Sequence, residues 1–208
     1  MYYNVYEQTN EGEKIIKNPS QANLYNATKL SGRTSSNLGV GLFNAISGDT
    51  YATAQDSIGT TRKILSSPLT NYNIAVLDQA LKNNSYVTLI NTNVTRDGHF
   101  YDANVTGAGF DFNNKTNTYG AGGFGRMSQR FFPDSAKPYR GYSADFNFGK
   151  RGGNFKWSAF GSFNTDTYNP NDLGIQFMNN NVDMGMEIAY NVYKPFWKLN
   201  NSYNEWSV

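Results

Sequence analysis

Strict alternation of large apolar side chains with small or polar ones most limits what this chain can become, and it is clearest between Tyr142 and Asn164. Tyr142, Ala144, Phe146 and Phe148 alternate with Ser143, Asp145, Asn147 and Gly149. Phe155, Trp157, Ala159, Gly161 and Phe163 alternate with Lys156, Ser158, Phe160, Ser162 and Asn164. A period of two belongs to a β-strand, whose successive side chains point to opposite faces. Lys150-Arg151-Gly152-Gly153 has the composition of a turn between two strands. A tight hairpin sets Phe148 against Phe155, Phe146 against Trp157 and Ala144 against Ala159. It also sets Asn147 against Lys156 and Asp145 against Ser158, leaving Asp145 and Lys156 close on a diagonal. One face is then apolar and the other polar, with Phe160 the exception. The apolar face must meet either a protein core or lipid.

Composition supports an all-β chain with many reversals. Of 208 residues, 29 are Asn and 20 Gly, which disfavour helices and suit turns. Charged residues make up 16%, below the usual quarter, and aromatic residues 15%. A net charge of +2 is too small to imply a nucleic-acid partner. Cysteine is absent, which excludes disulfides, thiolate metal ligands and a cysteine nucleophile. No apolar run is long enough for a transmembrane helix, but membrane β-strands give only a weak alternating signal.

Taken in order, residues 1–20 read as the end of an upstream strand and a loop. Residues 21–33 are a weak strand, and 37–46 a clearer one with Leu38, Val40, Leu42 and Ile46 on one face. Residues 47–68 lack a period and read as a long loop. Tyr72, Ile74 and Val76 mark the next strand, followed by strands over 86–94, 100–112 and 118–130. The 142–164 hairpin follows, then a loop, a short apolar run at 173–178, a strand around Met186–Val192 broken at Lys194-Pro195, and a last strand from Trp197. This gives an antiparallel up-and-down meander of about eleven strands in a single domain over residues 1–208, with barrel strands over 21–208. Turns near 34–35, 81–84, 113–116 and 150–153 are short. Connections at 47–69, 131–139 and 166–172 are longer, and 96–99 is the poor fit. Such alternation is how outer-membrane barrels distribute their loops.

A sandwich in water also alternates. Strands of 9–12 residues, aromatic residues at the ends of apolar stripes and small residues between them favour a partial transmembrane β-barrel. Several ordered stretches carry a resemblance: 26–34 (Asn-Ala-Thr-Lys-Leu-Ser-Gly-Arg-Thr), 39–45 (Gly-Val-Gly-Leu-Phe-Asn-Ala), 61–63 (Thr-Arg-Lys), 68–73 (Pro-Leu-Thr-Asn-Tyr-Asn), 77–85 (Leu-Asp-Gln-Ala-Leu-Lys-Asn-Asn-Ser), 90–94 (Ile-Asn-Thr-Asn-Val), 102–107 (Asp-Ala-Asn-Val-Thr-Gly) and 171–174 (Asn-Asp-Leu-Gly). Together they resemble a Bacteroidota family of outer-membrane proteins whose C-terminal barrel is a domain of unknown function. In that family a carbohydrate-binding, family-9-like sandwich usually precedes the barrel. The resemblance implies an outer-membrane location, the lipid bilayer as partner and a glycan as a candidate ligand. Family members are often labelled hydrolases, but no catalytic motif carries that label here. With no signal segment and an end in mid-pattern, the chain is expected to be an internal barrel fragment whose two edge strands stay unpaired. A soluble or surface-exposed all-β carbohydrate-binding or adhesion module is the alternative.

No catalytic, cofactor-binding or metal-binding residue stands out. His99, the single histidine, falls in a turn beside Asp97-Gly98 and reads as an exposed loop residue. Asp97 and Asp102 lack the acidic spacing of a calcium loop. Gly120-Ala-Gly-Gly-Phe-Gly125 lacks the helix and Lys-Ser/Thr of a phosphate loop and suits a bent strand. Serine–histidine–aspartate chemistry has no nucleophile elbow to rest on. The remaining candidates are polar residues expected to face a lumen: Asp145, Asn147, Lys156 and Ser158.

Overall fold

The structure is a computed structural model that describes residues 4–194 and 202–207, the last of these by backbone apart from the Trp206 side chain. The upstream strand end at Met1–Tyr3, the break at Pro195 and the start of the last strand at Trp197 lie outside the described residues. The described residues form thirteen strands in two antiparallel sheets. No helix among them is long and apolar enough to cross a membrane.

The larger sheet has ten strands: β2 (Leu24–Arg33), β3 (Leu38–Ser47), β6 (Thr70–Ala80), β7 (Tyr86–Arg96), β8 (Asp102–Asn113), β9 (Tyr119–Phe131), β10 (Tyr139–Lys150), β11 (Phe155–Asn164), β12 (Asn181–Val192) and β13 (Ser202–Ser207). Each pairs with its predecessor in the order given. Among the described residues the sheet is not closed: β2 and β13 are its edges and do not pair with each other. The short turns lie together at one end, over 34–37, 81–85, 114–118 and 151–154. The connections over 48–69, 97–101, 132–138 and 165–180 lie at the other. Asparagine serves the short turns because it tolerates the left-handed backbone. Asn37, Asn83, Asn84 and Asn117 all have positive φ there.

The smaller sheet corrects the sequence reading of residues 1–20 and 47–68. It joins β1 (Lys14–Lys17), β4 (Thr50–Gln55) and β5 (Thr61–Ser67) in the order β1-β4-β5. β4 does alternate, but its buried positions are Thr50, Ala52 and Ala54, too small to show as an apolar stripe. Asp56 closes the β4–β5 turn, its Oδ1 accepting from the Ile58 and Thr60 amides. Ala52, Ala54 and Ile64 bury against Val5 of a 3₁₀ turn (Val5–Gln8) and against Ile15. The apolar run at 173–178 is not a strand but part of the 165–180 connection.

The hairpin register is also corrected. Phe148 pairs with Ala159 rather than Phe155, Phe146 with Gly161 and Ala144 with Phe163. Lys150 instead stays beside Tyr119 of β9, and the Thr118 carbonyl accepts from the Arg151 and Gly152 amides. Phe155 and Lys156 pair only with β12. The slip is four residues, an even number, so each side chain keeps its face. The slip also separates Asp145, opposite Ser162, from Lys156, which lies six residues further along β11 (162 − 156 = 6).

Directly paired residues share a face, so the register sorts the whole sheet into two sides. One side carries the row Gly32, Val40, Leu77, Leu89, Ala108, Gly125, Ala144, Phe163 and Val182, apolar across nine strands. The next row toward the short turns runs through Leu38, Val87, Phe110, Phe146 and Met184, with Gln79 beside its turn. These large side chains are exposed: Leu89 at 46%, Phe146 at 46% and Met184 at 77%. The other side carries most of the charges; on the apolar side Asp102, Arg140 and Lys150 stand at strand ends.

Candidate functional site

On the charged side, glycine makes room for ion pairs that reach across strands. Arg33 Nη2 lies 2.6 Å from Asp78 Oδ1, over Gly39 of the strand between them. Arg151 holds Asp111 with two contacts of 2.8 Å, and its guanidinium also donates to Asn113 Oδ1 at 2.9 Å and Asn147 Oδ1 at 3.0 Å. It crosses β9 at Gly120 and Gly122. A Cβ on Gly120 would sit 2.6 Å from the Arg151 guanidinium carbon, and one on Gly122 would sit 2.9 Å from Asp111 Oδ2. The glycine-rich stretch 120–125 is therefore a strand shaped for this cluster, with no helix behind it. Nearer the long loops, Arg126 Nη1 lies 2.7 Å from Asp145 Oδ2 and its guanidinium carbon lies 4.3 Å from the Phe124 ring centroid.

The four polar candidates from the sequence lie on this side and belong to different contacts. Asp145 pairs with Arg126, and Asn147 joins the Arg151 cluster. Ser158 Oγ donates to Glu187 at 3.4 Å, and Lys156 lies 5.9 Å from the Tyr193 ring centroid. Phe160, the exception in the pattern, shares the same side and covers Gly185 of β12.

At the long-loop end this side becomes buried. Ala45, Val94, Ala103, Thr70, Ser128 and Ser143 are buried there. The 165–180 connection folds back over the sheet and seats Tyr168, only 3% exposed, against Gly141. Ser128 Oγ accepts from the Asn169 amide at 3.0 Å, and Asn179 Nδ2 donates to the Asp166 and Tyr168 carbonyls. Burial pushes the Tyr168 phenol upward. A crevice of about 330 Å³ remains between sheet and loop, lined by Ile90, Phe124, Arg126, Tyr168, Leu173 and Ile175.

The far part of that connection is tied to the β7–β8 turn. Asp172 Oδ1 lies 2.5 Å from Arg96 Nη2 and accepts from the Tyr101 hydroxyl at 2.9 Å. The Arg96 guanidinium also lies over the Tyr101 ring, 4.5 Å from its centroid. Burial first and the Asp172 carboxylate second push the Tyr101 phenol up to about 12. His99 lies 3.2 Å from Asp134 of the 132–138 connection, and both side chains are well exposed. The described residues contain no group of three or more His, Cys, Asp or Glu placed to hold a metal ion.

Sequence reasoning missed Arg126, Arg151, Asp111, Arg96, Asp172 and Tyr168. Arg126 and Asp111 had a usable signal, because each stands in a strand on the parity of its polar-side neighbours, whereas Arg151 lies in the turn after β10. The loop residues carried none, since their partners lie 76 positions away for Arg96–Asp172 and 41 for Ser128–Asn169. Chemically, the arrangement presents paired charges, amides, hydroxyls and rings. Among the described residues it offers polar contacts and brings no activated nucleophile together with a base. A family model described as a domain of unknown function (DUF5916) matches residues 2–208. No curated protein and no solved structure matches the chain.

Proposed function

The chain belongs to that family of unknown function, so its membership prescribes no reaction, and on the two-sided sheet we propose that it is the wall of an integral outer-membrane β-barrel. The apolar row across nine strands carries the reading. An exposed apolar surface of that extent needs a non-aqueous partner, and lipid accepts a β-sheet whose backbone groups are internally bonded. Strands β6 to β10 have 11 to 13 residues, enough to cross a bilayer when tilted. The ion pairs on the opposite side then line a lumen, where Asp145, Asn147, Lys156 and Ser158 are lumen-facing, and the 165–180 connection folds into that lumen. Four Arg–Asp pairs cancel most of the charge on this side, so the solute it suits is neutral and hydroxyl-rich, a glycan in class. No reaction is assigned.

The test is extraction. Reconstituted in lipid vesicles, the chain should stay with the vesicles after carbonate and high-salt washing and leave only with detergent. Recovery in the aqueous fraction would refute the barrel and favour a surface-exposed all-β binding module.

A further inference from the structure

One region of the apolar side is not apolar. Two rows from Leu77–Leu89–Ala108, the paired residues run from Asn44 through Asn73, Asn93 and Asn104 to Gln129, a continuous file of amides across five strands. Asn91 stands in the row between, opposite Ala75 and Thr106. These amides bond sideways. Asn44 Nδ2 donates to Asn71 Oδ1 at 2.5 Å and to Asn73 Oδ1 at 2.8 Å. Asn91 Nδ2 donates to Thr106 Oγ1 at 2.8 Å and to Asn104 Oδ1 at 3.2 Å.

The barrel reading, on which this inference rests, decides where the file lies. β7 has 11 residues, about the length of one crossing. Its residues on this side are Val87, Leu89, Asn91, Asn93 and Thr95. Val87 and Leu89 cover too little of the apolar layer, so a β7 that crosses carries Asn91 and Asn93 within it. Lipid tails give an amide no partner, and each amide has two donors and two acceptor sites to satisfy. The sideways bonds use only part of that capacity.

We propose that this amide patch on β3, β6, β7 and β8 is a contact face between barrels, and that its occupant is a second copy of this chain. The patch is self-complementary. Amides donate and accept in equal measure, so a two-fold axis sets donors against acceptors. The residues of these four strands on this side include no Asp, Glu, Lys or Arg between 38–46, 71–79, 87–95 and 104–112. A partner presenting charge would leave it unpaired in the apolar layer. Polar side chains are established contacts between chains within membranes.

The chain has no cysteine, so single-cysteine variants report the contact cleanly. Asn73→Cys and Asn93→Cys, each in detergent micelles under mild oxidation, should give a disulfide-linked dimer. Phe146→Cys, on the same side and five strands away from β3, should form no disulfide-linked dimer. The unmodified chain should show twice its monomer mass after subtraction of detergent. Monomer mass with no cross-link at Asn73→Cys or Asn93→Cys would overturn the dimer while leaving the barrel standing. A chain that stays in water without detergent would overturn both.

Discussion

Glycine in this sheet is best understood through what lies on top of it. Phe124 is paired with Gly109, Phe146 with Gly161 and Phe160 with Gly185, and each ring occupies the space where the opposite glycine lacks a side chain. An aromatic ring laid over a cross-strand glycine shields backbone that glycine leaves bare. The substitution Gly109→Ala places a Cβ 2.3 Å from the Phe124 ring and 3.1 Å from the Gly123 carbonyl oxygen. Overpacking of that kind costs about 1–3 kcal/mol, to be read as a lowered midpoint in denaturant-induced unfolding from detergent. Gly125→Ala is the control. Its Cβ meets nothing within 4 Å, so stability should hold or rise by about 0.5 kcal/mol through the stiffer unfolded chain. Equal losses at both positions would show that ring cover is not what these glycines provide.

An ion pair ties the turn before β1 to the last strand of the small sheet. Glu13 is held by Arg62, with the guanidinium 2.7 Å from each carboxylate oxygen, and accepts from the Asn10 amide at 2.7 Å. The Arg62 hydrogen bond, then the Asn10 amide, lowers the Glu13 carboxyl from 4.5 to about 2. A depressed carboxyl stabilises the fold above its unfolded value, and that contribution is lost as pH falls toward the folded value. Amide-exchange protection in β1 should therefore be full above pH 4.5 and fall between pH 4.5 and about 2. Glu13→Gln should remove that pH dependence and leave the weaker protection at every pH. The 165–180 connection has a comparable tether in Arg96–Asp172. Asp172→Ala leaves a half-buried guanidinium unpaired at a cost of up to about 3 kcal/mol. It should speed proteolytic cleavage within 165–180 without changing the ten-stranded sheet. Protease resistance equal to the parent would mean that Tyr168 and the Ser128–Asn169 hydrogen bond hold the loop without the ion pair.

At this scale the limits of the sequence are physical. Long strands with large side chains on one parity were legible, as β3 and β6 to β12 show. β4 was not, because Ala52 and Ala54 bury fully without looking apolar. Parity fixed the faces of the 142–164 hairpin, but every even slip satisfies parity equally well. The choice of Phe148 opposite Ala159 depends on β9 holding β10 past Lys150, a contact that no local pattern contains. The polar candidates Asp145 and Asn147 could be placed on a face from alternation. Their partners Arg126 and Arg151 needed the register of three strands.

The slipped hairpin has a meaning for the whole sheet. The hydrogen-bonded row that begins at Leu38, the first residue of β3, reaches Phe146 and Gly161 on β10 and β11. Those two strands continue to Lys150 and Trp157, four residues further (150 − 146 = 4; 161 − 157 = 4). Strand ends that step in one direction across a sheet make the strands tilt, which is what curvature toward a barrel requires. On β11 and β12 the apolar residues follow the step, running to Phe155 and Tyr190 near the displaced short-turn end. Ala144 lies in the fully apolar row, between Gly125 and Phe163, and distinguishes lipid from water at that surface. Ala144→Arg should destabilise the fold by about 2–4 kcal/mol if the row lies near the bilayer midplane. Ser162→Arg is the matched test one strand away on the other side. Its paired neighbours are Asp145 and Asp183, so a guanidinium there finds carboxylates and polar surroundings, and unfolding from vesicles should shift little. A large loss at Ala144 with little change at Ser162 is the asymmetry that a lipid-facing row and a wet opposite side produce. Two small effects would mean that both sides of the sheet meet water.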